Sequence, residues 1–386
     1  MPRRWAMLAV VFVTRMSMGV QFQSIAAVAP LLVADLGLGY AQLGTLIGVY
    51  MLPGAVFALP GGLLGARFGE RRVVVVSLGL MAVGAVVTAT SDGFVQAAAG
   101  RLGAGIGAVL MNILLAKMVA DWFIGREMST AMAVMLSSWP VALALAAATL
   151  GIVGAASSWR TAVQLTAVFA VIGLLFMLLL YRDAPRAVAP AAAGATARLS
   201  RRDLALGVSS GFAWGCFNAS LVVVIAFGPG LLLARGASIG AAGATVSALL
   251  WITLVSVPLG GVIADRWKRP TLLIVAGTVI TGVIAMLFPL SPWPLATLLA
   301  MGFIGGLPPG AIMALLPRAV RAETLATAFG VYYTVFYLVM ALAQPAAGAV
   351  RDLTGSAAAP VVFAGALMAT TVVGLGLFRL IERRDE

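Results

Sequence analysis

The chain has 386 residues, of which 62% are hydrophobic and 10% charged, against about 25% charged in soluble domains. With a mean hydropathy of +1.08, this excludes a soluble globular protein, so each long apolar run must face lipid or another helix. The net charge of +12 does not mark a nucleic-acid binder, because the basic residues sit in short loops between apolar runs, as in an inner-membrane protein.

Stretches long enough to span lie near 6–34, 42–65, 73–90, 94–119, 128–152 and 160–181. A second set lies near 204–232, 239–264, 271–290, 295–317, 324–349 and 357–379. At 1.5 Å per residue each can cross about 30 Å of hydrocarbon. The expected fold is an all-α membrane protein with 12 transmembrane helices. If the N-terminus is cytoplasmic, 20 of the 25 Lys and Arg fall in inner segments. Only Arg160, Arg235 and Arg351 fall outside, while Arg15 and Arg101 lie within helices. That alternation predicts that both termini are cytoplasmic. The start, Met-Pro-Arg-Arg, runs into an apolar segment without a clear small-residue cleavage site, which reads as a retained helix. Cys216 is the single cysteine, so no intrachain disulfide is possible.

The longest polar stretch, 182–203, holds Ala, Pro, Gly and Arg and reads as a cytoplasmic linker. It divides an N-terminal six-helix bundle, 1–181, from a C-terminal one, 204–386. Sliding the chain by 199 residues places Gly44 on Gly243, Gly61 and Gly62 on Gly260 and Gly261, and Arg67 on Arg266. Gly103 falls on Gly302 and Gly107 on Gly306. Such a weak repeat suggests two bundles related by an axis along the membrane normal.

The loop after the second span reads Gly62-Leu63-Leu64-Gly65-Ala66-Arg67-Phe68-Gly69-Glu70-Arg71-Arg72. It resembles the signature loop of the major facilitator superfamily, with Ala66 where that family has aspartate. The copy at Gly261-Val262-Ile263-Ala264-Asp265-Arg266-Trp267-Lys268-Arg269 keeps the aspartate and loses the later glycine. Arg101-Leu102-Gly103-Ala104-Gly105-Ile106-Gly107, the loop Asp121 to Glu127, and Ser158-Trp159-Arg160 also look like superfamily motifs. Of the antiporter motif in the fifth span only Pro140 is matched. The resemblance covers essentially the whole chain. It implies a monomeric secondary transporter in which two bundles rock about a central site. It also implies a cytoplasmic gate of Arg67, Gly69, Arg71, Asp265, Arg266 and Arg126. In that gate Asp265 would hold the inner side shut against the start of the fifth span, near Arg126 and Met128.

Other chemistry is missing from the sequence. There is no histidine, and the thirteen acidic residues fall in loops, at span ends or in the tail. No Walker loop, metal cluster or nucleophile–base pair can be assembled in the membrane. The expectation is therefore no enzyme and no cofactor. Gly103, Gly105 and Gly107 read as packing positions. Pro308-Pro309, beside Gly305, Gly306 and Gly310, reads as a gating bend or a tolerated kink. Lys117 and Asp121 read as a surface ion pair.

Arg15 and Arg101 are then the charges that matter. Each costs on the order of 2.5–3.5 kcal/mol at mid-bilayer, and no intramembrane carboxylate offsets them. A bound anion would. Thr14-Arg15-Met16-Ser17 resembles organic-anion branches of the superfamily, with Thr14 where those carry aspartate. Counted from their span ends, Arg15 and Arg101 are expected at similar depth, about 14 and 10 Å along their axes. Gln23, Ser24 and Asn218 are expected to complete the site. Trp214, Tyr333 and Tyr337 are candidate lining, the two tyrosines sharing a face at i, i+4. The expected partner is a small organic or inorganic anion beside the lipid bilayer. Export of apolar, drug-like compounds and a membrane sensor with a transporter fold are the alternatives. Without a protonatable group inside, exchange or uniport is favoured over proton symport.

Overall fold

A computed structural model describes residues 3–58, 60–123, 127–184, 199–267 and 269–383, apart from the side chains at 129, 265, 267, 322 and 326. Among the described residues the regular elements are helical. Twelve helical segments are long and apolar enough to cross a membrane, numbered here as spans 1 to 12. They are Arg3–Ala27, Tyr40–Phe57, Glu70–Ala89, Phe94–Phe123, Thr130–Ala156, Trp159–Leu179, Arg201–Ala234, Ile239–Ala264, Pro270–Leu290, Pro294–Ala319, Glu323–Thr354 and Ala359–Glu382. Their outer faces carry Val83, Leu179 and Leu380, all exposed. In water such faces would aggregate; against lipid they are neutral, and helix pairing falls to small residues instead.

The chain forms two compact units. Unit 1 holds Met1–Leu38 and Val49–Ala192; unit 2 holds Gly39–Gly48 and Ala193–Glu386. The division differs from a clean split between halves at one element, the first piece of span 2. Span 7 also begins earlier than its hydropathy suggests. Ser200 caps it by accepting from the Asp203 amide at 3.0 Å, so Arg201, Arg202 and Asp203 form its first turn rather than linker. Most of the expected linker, 185–198, lies outside the described residues.

In unit 1, span 4 packs backbone to backbone against span 2 through Gly105 and against span 3 through Gly107. A methyl group at Gly105 would collide with the Tyr50 carbonyl, and one at Gly107 with that of Ser77. Gly103 faces open space, so the packing reading fits the other two glycines of that row and not this one. The signature loop turns at Gly69, whose φ of 88° and ψ of 128° suit a residue without a side chain. Just beyond, Arg71 donates to the carbonyls of Met177 (3.0 Å) and Leu178 (2.7 Å). Those are last-turn carbonyls of span 6, which the helix itself leaves unpaired. Lys117 pairs with Asp121 at 2.9 Å and also with Glu70.

In unit 2 span 10 is interrupted between Gly305 and Pro309, at the Pro308-Pro309 pair. Span 2 is broken as well, into helices Tyr40–Gly48 and Pro53–Phe57. Pro53 has no N–H to return to the preceding turn. The first helix lies against span 11 through Gly44 and Gly48, where added methyl groups would strike the Gln344 and Ala341 carbonyls. Ala341 is four residues before Pro345, so its carbonyl has no helical partner and the backbones can meet there. Asp352 then caps the helix, accepting from the amides of Tyr40 (2.9 Å) and Ala41 (2.8 Å). Arg351 donates to the Tyr40 hydroxyl at 2.8 Å and lies 3.5 Å from the ring centre. Losing a cap carboxylate costs about 1 kcal/mol. Asp352→Ala is therefore expected to speed hydrogen exchange over residues 40–48 roughly fivefold. Unchanged exchange there would show that the glycine contacts alone hold the helix.

Candidate functional site

Arg15 sits midway along span 1 in unit 1 and is 6% exposed. Its Nε donates to Asn112 Oδ1 of span 4 at 2.9 Å. Its Nη1 reaches span 5, at Ser138 Oγ (2.9 Å) and the carbonyls of Met135 (3.2 Å) and Leu136 (3.3 Å). The sequence explains why those carbonyls are on offer. Pro140 has no N–H, so the Leu136 carbonyl, four residues earlier, is free of its helical bond. These four described acceptors are neutral. Spans 1 and 5 contain no Asp or Glu, and the acid of span 4, Asp121, lies nine residues from Asn112, about 13 Å along the helix. These four dipoles hold the guanidinium without bringing a counter-charge of their own.

Arg101 is used differently. It is 2% exposed, and its Nη1 and Nη2 donate to the carbonyls of Gln21 (2.7 Å) and Phe22 (3.4 Å) in span 1. Its guanidinium carbon lies 4.3 Å from the Tyr50 ring centre. The Tyr50 hydroxyl returns to span 1, on Gln21 Oε1 (3.2 Å) and the Met18 carbonyl (3.3 Å). The two arginines do not lie at one depth. Arg15 is bonded to Asn112, eleven residues from Arg101 and so about 16 Å away along span 4. Counting each residue from its own span end fails because spans 1 and 4 differ in length, 25 against 30 residues.

Gln23 is buried, and its Nε2 has no hydrogen-bond partner among the described residues. Ser24 Oγ is spent on the Gln21 carbonyl of its own helix. In unit 2, Asn218 donates to the Trp214 carbonyl at 2.9 Å. Trp214 stacks on Phe217 (5.7 Å between centres) and on Phe336 (6.3 Å). Tyr333 and Tyr337 are 6.4 Å apart, and both contact Phe336. The expected i, i+4 face is therefore part of a continuous aromatic surface on spans 7 and 11.

Of the gate residues, Arg67 and Arg266 are exposed and Gly69 makes the turn. Arg126 and the side chain of Asp265 lie outside the described residues. Asn112 and Ser138 went unnoticed in the sequence, although each interrupts an apolar helical run. Among the described residues no cluster of acidic, thiol or imidazole groups is placed to hold a metal.

The sequence model of the Major Facilitator Superfamily matches residues 7–344. One relative is the 3-(3-hydroxy-phenyl)propionate transporter of Escherichia coli (strain K12), 28% identical over 348 residues, covering 87% of this chain and 83% of the relative. The fold matches a D-xylose-proton symporter with a TM-score of 0.77 at 16% identity, over 97% of each chain. It matches the nucleoside transporter NupG with a TM-score of 0.77 at 13% identity, over 98% of this chain and 100% of that one.

Proposed function

The chain belongs to the Major Facilitator Superfamily, and on that premise we propose that it carries a small organic anion, a carboxylate, across the inner membrane by alternating access. It is a multi-pass transporter of a small solute and not an enzyme. The finer reading rests on one observation, the buried Arg15 guanidinium on the neutral acceptors Asn112, Ser138 and two carbonyls. Such a group repels cations and gains most from an anionic oxygen.

One further point favours a carboxylate that carries an aromatic ring: the name of the Escherichia coli relative describes one. Because the chain has no histidine, and spans 1 and 5 no acid, uniport or anion exchange fits better than a proton carried by the protein. The transporter is taken to act as a monomer. The test is uptake into proteoliposomes of 3-phenylpropionate, its neutral amide and its amine analogue. Uptake of the carboxylate alone is expected; preferred uptake of the amine would end the anion reading.

The orientation proposed places both termini in the cytoplasm, because 20 of 25 basic residues are then inside. A reporter active only in the periplasm, fused after Arg198, is expected to stay silent. A strong signal would invert the topology.

A further inference from the structure

We infer that Asn112 is a second substrate-contacting residue, which supplies a neutral hydrogen-bond donor to the anion beside Arg15. This rests on the anion reading above and extends it to a residue that neither the motifs nor the charges single out.

The argument begins with which end of the amide faces the arginine. A guanidinium has donors and no acceptor. The atom 2.9 Å from Arg15 Nε must therefore be the Asn112 oxygen, and the NH2 group points away. That NH2 donates to no group among the described residues, and Asn112 is half-buried rather than enclosed. A bare amide facing hydrocarbon would cost several kcal/mol. The reachable side of Asn112 therefore belongs to an aqueous space. A carboxylate there meets two N–H donors whose polarity is fixed by the charge behind them, since Arg15 pulls electron density through the amide oxygen.

The residue type matters as much as its position. Aspartate is nearly the same size, yet it would place a negative charge against Arg15. The guanidinium would then be neutralised from inside and the NH2 donor lost. Asparagine holds the arginine without discharging it. Leucine keeps the volume and removes both functions of the amide, leaving Arg15 on its span 5 acceptors Ser138, Met135 and Leu136.

The experiment uses the full chain in detergent, with thermal stability read alone and with 3-phenylpropionate or its neutral amide. A ligand that binds only the folded protein raises the midpoint. For the wild type, the carboxylate is expected to raise it by roughly 2–4 °C and the amide not at all. Asn112→Leu is expected to lose most of that shift. Asn112→Asp is expected to lose all of it while melting higher than wild type without ligand, because the new carboxylate pairs with Arg15. Suppose Asn112→Leu keeps the full shift while Arg15→Ala loses it. The anion reading then stands and the role given to Asn112 is wrong. If the wild type responds equally to carboxylate and amide, both fall. If Asn112→Asp melts lower than wild type without ligand, the placement of Asn112 against Arg15 is wrong.

Discussion

Replacing Arg15 with alanine is expected to raise KM for an anionic substrate roughly a hundredfold, while the folded yield changes little. The magnitude follows from the hydrogen bonds lost. A charge-assisted pair contributes about 1.5–3 kcal/mol, and each 1.4 kcal/mol is tenfold. Arg15→Lys keeps the charge but has no planar fork to span Asn112 and Ser138 together; roughly a tenfold rise in KM is expected. The fold should tolerate both changes. Arg15 binds span 5 at Ser138, which keeps its own bond to the Met135 carbonyl, and at the Met135 and Leu136 carbonyls, the second of which Pro140 leaves unpaired with or without the arginine. Initial-rate uptake in proteoliposomes, normalised to folded protein by size-exclusion chromatography, separates the two effects. Wild-type KM in Arg15→Ala would return Arg15 to a purely structural role.

The twelve spans were legible in the sequence because membrane insertion reads the same two quantities, apolar length and loop charge. The family was legible because turns such as Gly69 and anchors such as Arg71 have strict local chemistry. What hydropathy does not reveal is which helix each side chain meets. Arg15 and Arg101 looked equivalent as intramembrane cations, and only contacts separate them. One reaches Asn112 and Ser138; the other reaches Gln21, Phe22 and Tyr50. Asn112 was invisible for the same reason, since an amide in an apolar helix has no motif and gains meaning only from the arginine opposite. The cap of Asp352 on Tyr40 and Ala41 bridges 312 and 311 positions, a separation that no local pattern encodes. Pro140 and Pro345 were visible as prolines. That each releases a carbonyl four residues earlier is plain from the sequence; that Arg15 takes one and Gly48 abuts the other is not.

Replacing Arg101 with methionine is expected to have the opposite signature, with fewer folded molecules and an unchanged KM in those that remain. Arg101 is almost wholly enclosed, and its described donors end on span 1 carbonyls. It joins span 4 to span 1 while Tyr50 covers its face. Methionine preserves much of the stem's volume, so the cavity cost is small. What is lost is the bond to the Gln21 carbonyl, about 1.5–3 kcal/mol for a charged donor, a longer and weaker one to Phe22 at 3.4 Å, and a desolvated cation–π contact of about 2 kcal/mol. Set against this, the variant no longer buries a cation, which alone costs on the order of 2.5–3.5 kcal/mol at mid-membrane. The balance is a net loss of roughly 1–3 kcal/mol, or about 1–4 °C in the melting midpoint of a chain this size. Tyr50→Phe is expected to lose less, because its hydroxyl bonds to Gln21 and Met18 are long, at 3.2 and 3.3 Å, while the ring over Arg101 remains. The measurement is a thermal melt of the detergent-purified variants beside their uptake kinetics. A raised KM with an unchanged midpoint in Arg101→Met would place Arg101 in the substrate site, beside Arg15 in function if not in depth.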